Sequence, residues 1–554
     1  MERAASRVAC GLRDLGISPG DPVALVYPTC AGFFAALFGV LLAGGVPVPL
    51  YPPVRLGRLP EYHERTAAAL AAVGARAVLA DPGVRRLLGE SVARARPPLG
   101  CRTLAELPAG GPVPPHAGAP EELALIQFSS GTTAEPKPVA LTQSAVTAQA
   151  LALNALWPDG PGLPDGRHAG CSWLPLYHDM GLIGCVLPAL ERGADLTLIP
   201  PERFLARPAL WLRAISRARA TISPAPNFAY AYCTERIRDE ELAGVDLSCW
   251  CHALCGAETV VPETLRRFAA RFARFGLRPE ALTPVYGLSE AALAVAFGAL
   301  DRPWRSATFD RAALAGRGIA VEAAGGLELT SVGRPLAGFE LALRDERGRE
   351  AGEGRRGRVW VRGPSLMAGY FGRPEATAAV LEDGWLDTGD LGFLHGGELF
   401  LAGRAKDLLL VRGRSHAPGE VEEAVTGLPG LRPGGVAAAS HLPEGAATER
   451  VLLFVERRDG APEEALAALP GACRAAVVAA TGLVLDEVVV LSPGSLPRTS
   501  SGKVRRQEVL RRHLAGELTA PSPVTPLRLA AALVRSKLAF ALGRRDSKGG
   551  EEEG

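Results

Sequence analysis

Three lysines sit in local sequences suited to chemistry at a phosphate: Phe128-Ser-Ser-Gly-Thr-Thr-Ala-Glu-Pro-Lys137, Gly403-Arg-Ala-Lys-Asp407 and Pro497-Arg-Thr-Ser-Ser-Gly-Lys503. Of the 61 lysines and arginines in this 554-residue chain only five are lysine, so these three persist against a strong arginine bias. The other two, Lys537 and Lys548, fall in a charged tail. A compact ammonium on a flexible stem reaches positions that a planar guanidinium fork cannot. In the first segment Gly131 lets backbone amides turn toward an anion. The hydroxyls of Ser129, Ser130, Thr132 and Thr133 can donate to phosphate oxygens or ligate a magnesium ion, and Lys137 adds a mobile cation. This is not a Walker A loop, because Pro136 and Pro138 occupy positions where that loop requires Gly and Ser or Thr. Lys503 fails the same pattern through Pro497 and Val504. A lone serine-threonine-glycine run is as readily a surface loop.

Chemistry of this kind needs strand ends to hold the loops. Strand-like runs at 125–128, 171–174, 196–199, 250–254 and 283–285 alternate with helical stretches, which predicts a mostly parallel sheet with functional loops at its strand ends. Over 263–275 the residues Leu265, Phe268, Ala269 and Phe272 recur at helical spacing and read as core. Earlier, 4–15 is an amphipathic helix, 23–26 and 77–79 are strands, and 97–120 is a surface connection rich in proline and glycine. From Ser331 the texture turns to β, with strands over 340–344 and 357–361, and a smaller unit begins beyond Gly403. A helix over 527–542 with an amphipathic pattern precedes an end expected to be disordered.

Composition narrows the function. The net charge of +2, with scattered arginine, gives no footprint for nucleic acid. Ten cysteines are too few for a disulfide scaffold. Cys249-Trp-Cys-His-Ala-Leu-Cys255 lacks a CxxC knuckle and reads as a buried strand of thiols rather than a zinc site. The uncharged run 33–50 is broken by Gly44, Gly45 and two prolines, so its helical part is short of the ~20 residues a membrane span needs. A buried helix leading into a strand is expected instead. No secretion signal is evident, and a cytoplasmic protein without stable membrane insertion is expected.

Five segments together carry a resemblance. The loop ending at Lys137, Tyr286-Gly-Leu-Ser-Glu290, Thr388-Gly-Asp390, Gly403-Arg404 and Gly502-Lys503 resemble, in order, the motifs of the adenylate-forming superfamily. Trp173-Leu-Pro-Leu-Tyr-His-Asp-Met-Gly181, Ala225-Pro-Asn-Phe-Ala-Tyr230 and the stretch leading to Lys503 are similar to the fatty acyl-AMP ligases within it. The stretch between Phe297 and Val332 is long enough for the insertion that sets those ligases apart from acyl-CoA synthetases. The resemblance implies an α/β fold: a large N-terminal adenylation domain (1–404) of αβ subdomains plus a β-rich subdomain, a small mobile α+β C-terminal domain (405–520) and a tail (521–554).

It also implies that ATP and a medium- or long-chain fatty acid form an acyl-adenylate. The acyl group then passes to the phosphopantetheine thiol of an acyl carrier protein, or of a polyketide or non-ribosomal synthase carrier domain. Within that expectation Lys503 is catalytic and bridges acyl and α-phosphate oxygens, and Glu290 and Thr132 contact Mg2+. Asp390 and Arg404 take the ribose, Gly256, Ala257, Glu258 and Tyr286 form the adenine slot, Gly287 also binds the nucleotide, His178 lies near the acyl entrance and Lys406 is the hinge. An acyl-CoA synthetase and a non-catalytic nucleotide-binding homologue are the alternatives.

The chain departs from the family pattern at Ala134, Pro138, Gln143 and Ser415-His-Ala-Pro418. It also starts inside what resembles the family's second helix: either the start is assigned late, or the first strands are absent, which would expose sheet edges and apolar surface.

Overall fold

The computed structural model describes all residues except 55, 110, 112–113, 130–136, 412–413, 444–448, 500–501 and 550–554, with backbone alone at 410, 414 and 543–549. Four parallel strands, in the order Val46–Leu50, Pro22–Val26, Ala77–Ala80 and Cys101–Arg102, form the first sheet. Every residue of Pro22–Val26 and Val46–Leu50 is buried, so the apolar edge expected to be exposed is covered. The helix Ala31–Ala43 feeds Val46–Leu50 through Gly44 at φ 87°, as the uncharged run predicted. A left-handed residue there suits glycine. The strand Cys101–Arg102 corrects the reading of 97–120 as connection only.

A seven-stranded sheet supplies the site. Its order is Arg334–Pro335, Ala294–Phe297, Leu282–Gly287, His252–Gly256, Ile222–Pro226, Gly170–Ser172 and Leu196–Leu198. The last five run parallel, and Ala294–Phe297 is antiparallel to its neighbours. The C-terminal ends of the parallel strands therefore open on one side, where their loops can converge. The predicted strand over 250–254 starts later: Cys249 and Cys251 lie in the turn before His252–Gly256, because pairing with Ile222–Pro226 begins only at His252. The helix Pro262–Phe272 buries Leu265, Phe268, Ala269 and Phe272 as its spacing required.

The β-rich part follows, with Glu340–Arg344, Gly357–Arg362, Trp385–His395 and Glu398–Arg404 in one antiparallel sheet. Beyond it the strands Leu431–His441, Arg450–Arg457 and Glu487–Leu491 form a separate sheet. One of its faces packs on Val421, Leu469, Cys473 and Val477, the other on Leu496, Val509 and Leu510. Among the described residues one helix, Glu463–Thr481, is long and apolar enough to cross a membrane, yet it lies against this sheet and contains Pro470. The last helix, Pro526–Gly549, extends past the predicted 527–542 into the stretch expected to be disordered. Its inward face carries the buried Ala532 and Ser536, yet Leu527, Val534, Leu538 and Leu542 are exposed, so its apolar residues are not confined to the buried side.

Candidate active site

Cross-strand pairing builds one half of the site. Asp390 lies opposite Arg404 in the register of Trp385–His395 and Glu398–Arg404. Arg404 Nε donates to Asp390 Oδ1 at 2.9 Å, and the Tyr286 hydroxyl donates to Oδ2 at 2.7 Å. Asp390 raises the Arg404 guanidinium's pKa and so holds it charged. Each carboxylate oxygen keeps a second lone-pair site, so Asp390 can still accept from two ligand hydroxyls. Gly256 ends its strand beside Val285, where an added Cβ would stand 2.7 Å from the Val285 carbonyl oxygen. Ala257 follows at φ 66°, a strained left-handed alanine. It aims Glu258 back at the backbone N–H of Phe228, which donates to Oε1 at 2.6 Å.

The second half gathers around Lys503. The Lys503 N–H donates to Thr499 Oγ1 at 3.0 Å and its carbonyl accepts from Thr499 N at 2.8 Å, which presents the side chain from a tight turn. Burial pushes the ammonium's pKa down and Arg404 adds repulsion, while Asp179, Glu258 and Asp390 pull it back up. Asp179 lines the site and was not singled out from the sequence. It is buried, lies 2.5 Å from His178 Nδ1 and accepts from the Ser289 hydroxyl at 2.5 Å. Burial alone would raise the Asp179 carboxyl, but His178, Ser289 and Lys503 outweigh it and leave it at about 2. The other ring nitrogen of His178, Nε2, is buried with no hydrogen-bond partner among the described residues.

At the phosphate end, Ser129 N donates to the Lys137 carbonyl at 2.9 Å and so closes the neck of the loop. Ser130, Gly131, Thr132, Thr133 and Ala134 lie outside the described residues. The Lys137 ammonium stands 4.4 Å over the Tyr370 ring, and the Tyr370 hydroxyl donates to Glu290 Oε1 at 2.9 Å. Burial raises the Glu290 carboxyl's pKa against the pull of the Tyr370 hydroxyl and Arg404. Pro138 begins its strand opposite Phe128, and Gln143 opens the helix Gln143–Ala155 capped by Thr142. Both departures therefore occupy places their residue types tolerate. Lys406 is exposed, and its carbonyl accepts from Gln507 at 3.3 Å.

Of these groups, Ser129, His178, Asp179, Tyr286, Glu290, Arg404 and Lys503 line one cavity of about 110 Å3 that opens to solvent. Ser129, His178, Asp179, Glu290, Arg404 and Lys503 form its polar end; Leu153, Trp157, Leu254, Val285, Leu293 and Phe297 form an apolar end. A cationic and acidic mouth on a greasy chamber suits an amphiphile with one reactive polar terminus. Residues 1–371 match the family described as AMP-binding enzyme. The chain belongs to the AMP-binding enzyme family.

Relatives extend the match over the small unit. A Caulobacter vibrioides protein named as an acyl-CoA synthetase is 35% identical over 510 residues, covering 91% of this chain and 87% of its own. Long-chain-fatty-acid–AMP ligase FadD26 of Mycobacterium marinum is 33% identical over 521 residues, covering 89% and 87%. Among solved structures, one from a study of the fatty acyl-adenylate ligases of E. coli and L. pneumophila superposes with a TM-score of 0.86 at 33% identity, covering 93% and 92%. A complex of the L. pneumophila ligase with acyl adenylate and pyrophosphate gives 0.68 at 28%, covering 93% and 90%. This member of the AMP-binding enzyme family is an adenylate-forming ligase of the fatty acyl-AMP ligase class.

Proposed function

We propose that this ligase activates a medium- or long-chain fatty acid with ATP, releases pyrophosphate, and hands the acyl group to a carrier-protein phosphopantetheine thiol. The observation that carries the reading is the arrival of Lys503, from the small unit, at the junction of the polar mouth and the apolar chamber. The fatty carboxylate would lie at that junction with its chain in the chamber. Attack on the α-phosphate builds negative charge on both reacting groups, and a preorganised ammonium facing both oxygens stabilises it. Asp390 and Arg404 would hold the ribose, with Tyr286, Gly256, Ala257, Glu258 and Gly287 around the base. Lys137, Ser129 and the segment through Thr132 would take the leaving phosphates.

Mg2+ fits the residues present. Among the described residues no cluster of three or more acidic, His or Cys ligands forms. A site of one carboxylate, Glu290, completed by Thr132 and substrate phosphates is what magnesium commonly accepts. When bound, the ion would neutralise phosphate charge. Glu290 contributes by being held in place by Tyr370.

Acyl transfer requires the small unit, from 405 onward, to turn about Lys406 and withdraw Lys503. The segment between Phe297 and Val332 bears on that motion: Arg311 pairs with Glu420 of the small unit at 3.0 Å. A tie from the insertion to the small unit favours retention of the adenylate until a carrier protein engages, over free CoA as acceptor. A cytoplasmic site of action, where ATP and carrier proteins meet, accords with this reading. The test is a fatty-acid panel followed by pyrophosphate release, with CoA or a holo carrier protein offered to the adenylate formed. No pyrophosphate from any acid would refute the activity, and rapid acyl-CoA formation would refute the acceptor.

A further inference from the structure

Behind the apolar end of the chamber lies a second, smaller cavity of about 50 Å3. The two cavities share Trp157, Gly184 and Pro224 as a common wall. Trp157 is 5% exposed, and its indole leans on His252 and Phe297 at ring-centroid distances of 5.6 and 6.0 Å. Its main chain is fixed: Arg192 donates to the Trp157 carbonyl at 2.7 Å and to that of Asn154 at 2.5 Å. The wall is thus a side chain on a clamped backbone. Opposite it, Gly184 lies in the π-helical turn Leu182–Val186, a type of distortion often found at functional sites. An added Cβ there would meet the Leu293 side chain at 2.7 Å, so only glycine lets the wall pack this closely.

The second cavity offers nothing to a charged ligand. Cys171, Cys185, Ala189, Leu196 and Ile222 supply apolar surface. Its polar groups are committed within the protein, with His168 Nδ1 on the Thr221 hydroxyl at 2.8 Å and Arg192 on the two carbonyls. Beside the wall, burial holds the His252 imidazole down at about 4, which keeps it uncharged near neutrality. What fits is more hydrocarbon.

We propose that Trp157 is the residue that sets acyl-chain length, and that the second cavity is the space a longer tail enters when that indole is withdrawn. The proposal rests on the fatty-acid reading above, and it names the residue that ends the chamber.

The experiment is pyrophosphate release by the full chain over a homologous series of straight-chain acids, read as the ratio of kcat/KM for long to medium acids. Trp157→Leu keeps an apolar side chain but opens the wall, and is expected to raise that ratio about tenfold or more, the scale at which pockets discriminate methylenes. Trp157→Phe should shift it in the same direction by less, and serves if the leucine variant melts early. Adding Ala189→Phe to Trp157→Leu refills the second cavity and is expected to return the ratio toward that of the parent. An unchanged ratio in folded Trp157→Leu and Trp157→Phe, or a gain that Ala189→Phe leaves intact, overturns the assignment. If the parent enzyme turns over no fatty acid at all, the activity reading itself falls, and the chain-length assignment with it.

Discussion

Lys503 owes its local character to burial and to the charges that face it, and those charges make testable demands. Lys503→Arg is expected to cut pyrophosphate release roughly 100- to 1,000-fold, the cost of losing one preorganised donor at developing charge, while the melting curve stays in place. Near-parental rates would remove Lys503 from the chemistry. Because burial has lowered its pKa, activity should fall with rising pH before the ordinary lysine range is reached. Asp179 opposes that shift, so Asp179→Asn should move the alkaline fall to still lower pH, which a merely structural carboxylate would not do. Asp179 also carries an acid signature. Its folded value of about 2 lies below that of an unfolded aspartate. The stabilisation it gives is therefore complete above about pH 4 and is lost as pH falls toward 2. In Asp179→Asn the acid limb of stability should flatten correspondingly. The lysines were legible because their neighbours in sequence are unusual. Asp179 was not, since its hydrogen-bond partner Ser289 lies 110 residues away and only the fold joins them.

Elements read well where periodicity alone decides them, and poorly where a partner does. The stripe of Leu265, Phe268, Ala269 and Phe272 fixes its helix without help. The start of His252–Gly256 is set by pairing with Ile222–Pro226, which hydrophobic pattern cannot reveal. Cys101–Arg102, only two residues long, exists because it pairs with Ala77–Ala80 inside a proline-rich stretch. The hairpin that delivers Glu290 shows the same dependence. The chain turns back so tightly after Leu282–Gly287 that Leu288 N donates to the Leu293 carbonyl at 2.7 Å, with Ala292 at φ 61°. A Cβ on Gly287 would stand 1.8 Å from the Leu293 carbonyl oxygen, a backbone overlap that no rotamer change relieves. Gly287→Ala is expected to destabilise by about 1–3 kcal/mol or more, as overpacking does, and to abolish pyrophosphate release by displacing Glu290. A variant with parental melting temperature and rate would show that the hairpin can open without cost.

Across the whole molecule the C-terminal part of the small unit is tied to the first sheet's subdomain. Arg58 donates to the carbonyls of Gly494, Ser495 and Thr519 at 3.0 to 3.2 Å, and Arg512 pairs with Glu61 at 3.1 Å. Beyond the small unit, the helix Pro526–Gly549 returns to the first sheet's subdomain and lies on the helix Gly89–Ala95. There the Gly89 N–H, which has no partner in its own helix, donates to the Ser536 hydroxyl at 2.8 Å. Arg535 pairs with Glu90 at 3.2 Å, and Arg85 stands 5.0 Å over the Phe540 ring. No sequence pattern announces this contact, because it depends on a glycine and a serine 447 residues apart approaching without side chains between them. The joining segment 517–525 has no regular structure and is largely exposed. In the proposed turn about Lys406, the small unit would lie between that hinge and the docked helix, which would limit its travel. Gly89→Leu would place side-chain atoms where the Ser536 carbonyl oxygen now lies, 2.0 Å from an added Cβ, and should lift the helix off. Limited proteolysis is expected to cut that variant within 517–525 well before the parent. The freed helix, with Leu527, Val534, Leu538 and Leu542 already exposed, should promote self-association visible by light scattering. Equal cleavage rates in the two proteins would mean that the helix is not held by this contact, and that the small unit's travel is limited elsewhere.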